Sequence, residues 1–528
     1  MYKILVSDKL GEAGLQRLAD APDAEHTMTL KLSQEELIDI IGDYDAIIVR
    51  SGTQVNDDVL AAGRRLRVVG RAGIGIDNID VQAATNRGII VMNTPQANTV
   101  ATAEQTMALM LGVTRHLAQA HQSVSAREWR RSDFVGQQLY RKTLGIIGFG
   151  RIGRLVASRA QSFGMEVLAY DPFVSEDVAR ELGVTLVDLP DLLSTSDYIS
   201  LHTVSSPETR GMIDAAALDQ MKDGVILVNC ARGQLIDEAA LAAALDSGKV
   251  RAAAVDVYSK EPPVSDHPLV GHPHVLHTPH LGASTCEAQR DVATQIVDQV
   301  LDALRGKDFR NAVNMPFHAG PDFGDIWPYM ELGGKLGVLQ GALANGPIRR
   351  VEVEIKGDMA ERLIRPVAAG LLKGMLEKAL PDTINYINAP VLAAEHGITV
   401  SQTKGINLVD YPNLVSCRVH WDGGSRLLSG VLFGGSQPRL VQVDEYQIDV
   451  NPKGILLILR NLDVPGVIGR VGTILAADKV NIGEWRMGRH HPGGEALSFI
   501  SLDNPPSEET LSSLKEVEAV VALRMIEL

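Results

Sequence analysis

The sequence predicts an α/β protein. Two Rossmann-like domains with doubly wound parallel sheets come first, then a further α/β domain, then a C-terminal ferredoxin-like domain of βαββαβ order. Three observations predict this. Short apolar runs alternate with amphipathic stretches over residues 1–283, as strands joined by crossover helices do. The glycine-rich segment GFGRIG (148–153) joins one such run to a helical pattern. Residues 451–528 carry strand, helix, two strands, helix and strand in that order. The length of 528 residues fits about three or four domains at roughly 150 residues each.

KILVS (3–7), AIIVR (46–50), LRVVGR (66–71) and GIIVMN (88–93) read as buried parallel strands. Between them SQEELIDIIG has a Ser33 cap with Glu36 three residues on, the signature of a helix start. Residues 99–122 read as one long helical stretch. KTLGIIGFGRIG (142–153) is a strand meeting the glycine turn, and EVLAYD (166–171), YISLHT (198–203), GVILVNC (224–230), AAAVDVY (252–258) and HVLHTPH (274–280) are further strands. The helical segment 284–306 returns the chain to the first domain. The expected domains are 1–98 with 285–310, 99–284, 311–450 and 451–528. Residues 307–325 read as a linker. Residues 326–450 mix helices such as LIRPVAAGLLKGMLEKAL with strands such as RRVEVEIKG, LVSCRVHW and RLLSGVLFGG, and carry no motif tied to chemistry.

Bulk composition narrows the function. A formal net charge of −15 gives no general attraction for nucleic acid or anionic membrane. No run is long and apolar enough for a membrane span. Cys230, Cys286 and Cys417 form no CxxC pair, which fits a reducing cytoplasm and suggests neither disulfides nor a zinc site. The N-terminal MYKILVSDKL runs straight into a strand without a secretory h-region. Local charge opposes the average between Arg50 and Arg71, where five arginines face Asp57 and Asp58, a net of 5 − 2 = +3. Arg64, Arg65 and Arg67 suit a solvated helix face equally well. Arg50 and Arg71 end apolar strands and suit an anionic substrate.

In GFGRIG the glycines Gly148, Gly150 and Gly153 follow a strand and open a helix, and Asp171 ends the next strand about 20 residues on. Glycines there permit a tight turn, close approach of a pyrophosphate and close helix packing. The helix start offers unpaired N–H groups to phosphate. Asp171 can accept from ribose hydroxyls and would repel a 2′-phosphate, so NAD is expected over NADP. A tight turn in a non-binding sheet is the plain alternative. GRAGIGID (70–77) also holds glycines after a strand, but lacks the third glycine and a following helix. It reads as a close-backbone loop beside the substrate.

NCARG (229–233) puts Arg232 just past a strand, where open α/β sheets bind ligands. Its guanidinium suits a bidentate grip on a carboxylate; a structural ion pair is the even-handed alternative. DVYSKEPP (256–263) offers Glu261, and HVLHTPHLGAST offers His280 at the end of the next strand. Oxidising a hydroxyl carbon needs a base for the hydroxyl proton, and histidine suits that near neutral pH. A carboxylate on its far nitrogen fixes the tautomer. His267, His272, His274 and His277 crowd the same region, but without ligand spacing they read as loop or strand residues rather than a metal cage.

GFGRIG with Asp171, NCARG, DVYSKEPP and TPHLGAST, in that order and spacing, resemble the D-isomer-specific 2-hydroxyacid dehydrogenases. VRSGTQV, VVGRAGIGIDNID and NTPQANTVATAE, with the long C-terminal part, make the chain similar to the long-form phosphoglycerate dehydrogenases within that family. Those have an intervening allosteric substrate-binding domain and a C-terminal ACT domain. The resemblance implies NAD-dependent oxidation of 3-phosphoglycerate to 3-phosphohydroxypyruvate, the entry to L-serine. It implies Arg232, Glu261 and His280 as the catalytic set, and Arg50, Ser51, Arg71 and Asn98 at the substrate. It places Arg131, or Arg130 beside it in REWRR, at a neighbouring subunit's site. For NAD it adds Arg151, Ile152, Thr203, Cys230, Ala231 and Asp256 to the glycines and Asp171. It further implies a homo-oligomer, expected to be a tetramer, and an L-serine effector at Asp463 and Asn481. The chain departs from the pattern at Asn461, where a larger His or Tyr is usual, and this bears on serine affinity. Rival readings are a dehydrogenase of glycerate, glyoxylate or D-lactate, and a non-catalytic NAD-binding sensor. The second would not need Arg232, Glu261 and His280 together.

Overall fold

The computed structural model describes residues 1–317, 323–380, 384–405 and 411–528. The first sheet is parallel, in the spatial order Ala24–Met28, Tyr2–Val6, Ala46–Val49, Val68–Arg71, Ile90–Met92. The sequence reading missed the edge strand Ala24–Met28. Its AEHTM is mostly exposed, so no apolar run marks it. The capping box at Ser33 forms as expected and starts the helix Gln34–Ile41. A helix from far downstream, Cys286–Leu304, lies on this sheet, with Thr285 as its cap. Its Val292, Ile296 and Val300 share one core with Ile4, Val6 and Ile48.

The second sheet has seven parallel strands: Val275–His277, Val250–Val255, Val225–Asn229, Tyr198–Leu201, Thr143–Ile147, Glu166–Tyr170 and Thr185–Leu186 in spatial order. The order reverses between Tyr198–Leu201 and Thr143–Ile147, the switch point at which a doubly wound sheet opens its ligand crevice. The stretch 99–122 is two helices, Thr99–Thr114 and Leu117–Ser125. They break at His116, which takes a left-handed φ of 53°.

The third sheet is mixed, with Thr399–Gly405 parallel to Ile348–Lys356 and antiparallel strands Leu414–Trp421, Gly424–Phe433, Gln437–Val443 and Tyr446–Val450 following. Two helices, Phe323–Leu343 and Ala360–Leu376, pack with it. The expected linker is anchored. Phe309, Phe317 and Phe323 are buried, with Phe309 and Phe323 in edge contact at 5.5 Å, and helix begins at Phe323; residues 318–322 lie outside the described residues. The fourth sheet is antiparallel in the order Ile482–Arg489, Glu495–Leu502, Ile455–Leu462, Val520–Glu527. With helices Val467–Ala477 and Glu508–Lys515 it makes the predicted βαββαβ unit. Among the described residues, no helix is long and apolar enough to cross a membrane.

Candidate active site

The glycine turn follows strand Thr143–Ile147 at the switch point. Gly148 has φ 94°, and a Cβ there would lie 2.7 Å from the His202 carbonyl carbon. A Cβ on Gly153 would lie 2.3 Å from the Gly148 carbonyl oxygen, so only glycine lets the helix Arg151–Ser162 sit this close. Gly150 is different: it caps that helix with no side-chain bond, and a Cβ there would meet nothing within 4 Å. The protein itself does not need that space; a pyrophosphate over the free helix start does. Asp171 accepts from the Phe149 N–H at 2.8 Å and from the Phe173 N–H at 2.9 Å, which ties the acid to the turn. Each oxygen keeps a further lone pair for a ribose hydroxyl. The residues present therefore fit NAD.

One wall of the adjoining cavity, about 380 Å³, carries the acid–base groups. His280 Nδ1 and Glu261 Oε2 are 2.6 Å apart, and the other carboxylate oxygen accepts from the Tyr258 N–H at 3.1 Å. Half-burial raises the Glu261 pKa, but the bonds from His280 and Tyr258 and the charges of His280 and Arg232 outweigh it, so the net direction is down. The dyad leaves Nε2 as the free nitrogen of His280. Its backbone is held too: the His280 N–H donates to the Asp256 carbonyl at 2.8 Å, and φ is 56°. The buried Asp256 carboxylate accepts from Thr278 Oγ1 (2.5 Å) and from the N–H groups of Leu281 (2.8 Å) and Gly282 (2.9 Å). Arg232 donates through Nε to Asp77 at 2.9 Å and through Nη1 to the Ala231 carbonyl at 2.7 Å, leaving Nη2 for a ligand.

The facing wall belongs to the first sheet. Arg50, Ser51, Arg71, Gly73, Gly75 and Asn98 line it. Burial, then repulsion from Arg232 and Arg50, brings Arg71 down to about 10, still charged at neutral pH. The buried Arg71 Nε and Asn98 Oδ1 have no hydrogen-bond partner, the state of groups awaiting a polar ligand. GRAGIGID makes room for the guanidinium groups. A Cβ on Gly73 would stand 1.6 Å from Arg71 Nη1, and one on Gly75 1.8 Å from Arg232 Nη2. Arg65 and Arg67 stay away from the cavity, bonded to Asp45 at 3.0 Å and packed over the Tyr2 ring.

Ile152, Thr203, Cys230 and Ala231 also line the cavity. Burial pushes the Cys230 thiol up to about 12, so it serves as a neutral wall. Arg131 is exposed in the short turn Arg131–Asp133, outside this cavity. The crowded histidines take structural partners: His267 and His277 pack on the Tyr258 ring, and the rings of His272 and His274 lie 5.8 Å apart. His267 meets Glu238 at 3.0 Å, His272 meets Asp246 at 3.3 Å, and His277 meets the Tyr258 hydroxyl at 3.3 Å. In the fourth domain Asp463 accepts from Arg489 at 2.6 Å, which holds its carboxyl below the usual range, and Asn481 donates to Asp503 at 2.6 Å. Asn461 is buried and bonded to Ser498 and to the Leu462 carbonyl. Sequence reasoning missed Asp77, which clamps Arg232, and Asp8, which accepts from the N–H groups of Arg50 (2.6 Å) and Thr53 (3.1 Å). Asp8 could have been found from its place just past the carboxyl end of a parallel strand.

The chain is similar to known proteins over its whole length. Residues 107–282 match the model of the D-isomer specific 2-hydroxyacid dehydrogenase NAD binding domain, and 325–444 the D-3-phosphoglycerate dehydrogenase intervening domain. The chain is 41% identical to a D-3-phosphoglycerate dehydrogenase of Archaeoglobus fulgidus over the full length of both. It is 40% identical to one from Synechocystis sp., covering 98% of this chain and 94% of that one. Among solved structures, a glyoxylate reductase from Paecilomyes thermophila is similar with a TM-score of 0.55 at 32% identity, over 59% of this chain and 98% of its own. A D-lactate dehydrogenase from Escherichia coli gives 0.53 at 30%, over 59% and 100%. The turn that fits NAD, the histidine–glutamate pair and the full-length likeness converge: the chain belongs to the D-isomer-specific 2-hydroxyacid dehydrogenase family, in its D-3-phosphoglycerate dehydrogenase branch.

Proposed function

We propose that the chain oxidises 3-phospho-D-glycerate to 3-phosphohydroxypyruvate with NAD, the entry step to L-serine. The observation that carries this reading is one cavity with the His280–Glu261 pair and Arg232 on one wall and Arg50 and Arg71 on the other. Bound NAD supplies the acceptor for the hydride from C2. His280 takes the hydroxyl proton through Nε2, while Glu261 holds the Nδ1 proton and stabilises the imidazolium. Arg232 holds the carboxylate and the oxygen that becomes the carbonyl, with Nη2 turned to the ligand. Arg71, Arg50, Ser51 and Asn98 take the remaining polar end. The test is NADH formation from 3-phosphoglycerate against D-glycerate. A strong preference for the phosphorylated acid is expected; turnover of glycerate alone would overturn the substrate assignment and leave a general 2-hydroxyacid dehydrogenase.

The same reading includes a cytoplasmic homotetramer with Arg131 reaching a neighbouring site. Leu117, Val124, Trp129, Val135 and Tyr140, on either side of Arg131 in sequence, are exposed apolar side chains that burial between subunits would cover. Three unpaired cysteines suit a reducing compartment. It also includes L-serine as an effector at Asp463 and Asn481 of an ACT domain. Titrating L-serine into the same assay, with the mass in solution measured alongside, tests both; absence of inhibition removes the effector, and a monomer removes the shared site.

A further inference from the structure

We propose that Lys9 is a specificity-determining residue that, together with Arg50, recognises the phosphate end of the substrate; this rests on the phosphoglycerate reading above. Lys9 stands in VSDKLGE, between the strand Tyr2–Val6 and the helix Glu12–Ala19. That is the carboxyl end of a parallel strand, on the ligand side of the sheet. Its neighbours are fixed. Leu10 is buried in the core, and the Asp8 carboxylate accepts from the N–H groups of Arg50 and Thr53. Lys9 itself is exposed and lines the cavity, and its carbonyl accepts from Arg50 Nη1 at 3.5 Å. The two cations thus share one corner with Ser51.

The two ends of the cavity are charged differently. Arg232 has a carboxylate partner in Asp77. Among the described residues, the Lys9 ammonium and the Arg50 guanidinium are hydrogen-bonded to no carboxylate. Asp8 Oδ2 accepts from both backbone N–H groups, of Arg50 and Thr53, which ties this carboxylate to the loop at the corner. Lys9 and Arg50 both line the cavity, and a dianion that meets two cations gains from each. The helix Glu12–Ala19 opens at the same corner from Gly11, with no side-chain cap hydrogen bond to its first N–H groups. The substrate is short: with its carboxylate at Arg232 and its C2 hydroxyl at His280, only its far end reaches Lys9. A phosphate dianion there meets Lys9 and Arg50; an unphosphorylated acid offers only a hydroxyl. A solvated surface lysine would make no such distinction, and the two roles separate by experiment.

Lys9→Met removes the charge and keeps the reach; Lys9→Arg restores it. For each variant and the parent, kcat/KM is measured for 3-phosphoglycerate and for D-glycerate. One charge-assisted contact predicts a fall of about 10- to 100-fold in the ratio of the two values for Lys9→Met, carried by KM for the phosphorylated acid, with partial rescue by Lys9→Arg. An unchanged ratio overturns the proposal, whether both values hold or both fall. Inorganic phosphate serves as a probe that needs no turnover. It is expected to raise the Tm of the parent and of Lys9→Arg, and to raise that of Lys9→Met much less; equal rises overturn the proposal. If the parent itself turned over glycerate but not the phosphorylated acid, the proposed function would fall. The phosphate probe would then still decide whether Lys9 binds an anion.

Discussion

At the residue scale, the acid–base group is held from two sides. The His280 ring is bonded to Glu261, and its backbone, in the left-handed region that few side chains adopt, is held by the loop gathered on Asp256. Replacing His280 with Ala should lower kcat by about 100- to 10,000-fold, the range for a general base, with the fold intact by circular dichroism. Near-parental turnover would remove His280 from the mechanism. Asp171→Gly should weaken discrimination between NAD and NADP, read as the ratio of kcat/KM for the two; an unchanged ratio would release Asp171 from the ribose. Arg232, Glu261 and His280 were legible because each follows a strand in a compact linear motif. Asp77 was not, because its role depends on Arg232, which lies 155 residues away. The two residues meet only when two sheets face each other.

Elements with long apolar runs were legible, and those without were not. Ile47 and Val228 sit in fully buried strands, and Val69 in one buried up to Arg71, and these sequences read as β at once. Ala24–Met28 and the two-residue Thr185–Leu186 are edge strands without such a run. The helix Phe323–Leu343 carries glycines and an internal Pro328, residues of poor helix propensity. Packing overrides that preference. A Cβ on Gly337 would lie 2.1 Å from the Leu371 carbonyl oxygen, and one on Gly374 2.1 Å from that of Gly334, so glycines on both helices bring two backbones together. Gly374→Val should therefore destabilise the protein by about 1–3 kcal/mol or more, seen as a lower denaturant midpoint. An unchanged midpoint would mean that the helices can separate without cost.

At the scale of the whole molecule, the order of the four sheets and the identity of the glycine turn followed from sequence. How the parts share a core did not. One continuous core runs from Ile4 in the first sheet through Phe309 and Met330 to Cys417 and Phe499, joining segments that no local pattern connects. Burial pushes the Cys417 thiol, like that of Cys230, up to about 12, so both stay protonated and unreactive at neutral pH. Brief alkylation should label the exposed Cys286 first, with Cys230 and Cys417 following only as denaturant opens their domains; mass spectrometry of the peptides would show the order. Early labelling of Cys417 would mean that the shared core opens on its own. The chain leaves the first sheet after Ile90–Met92 and comes back to it as the helix Cys286–Leu304, so two strands of backbone cross the cleft between the cavity walls. A body tethered at two points swings like a door on a pair of hinges and resists twisting. Closure over a substrate would then bring Arg232 and His280 toward Arg50 and Arg71 along one repeatable arc, and that alignment would be inherited from connectivity rather than from any single contact.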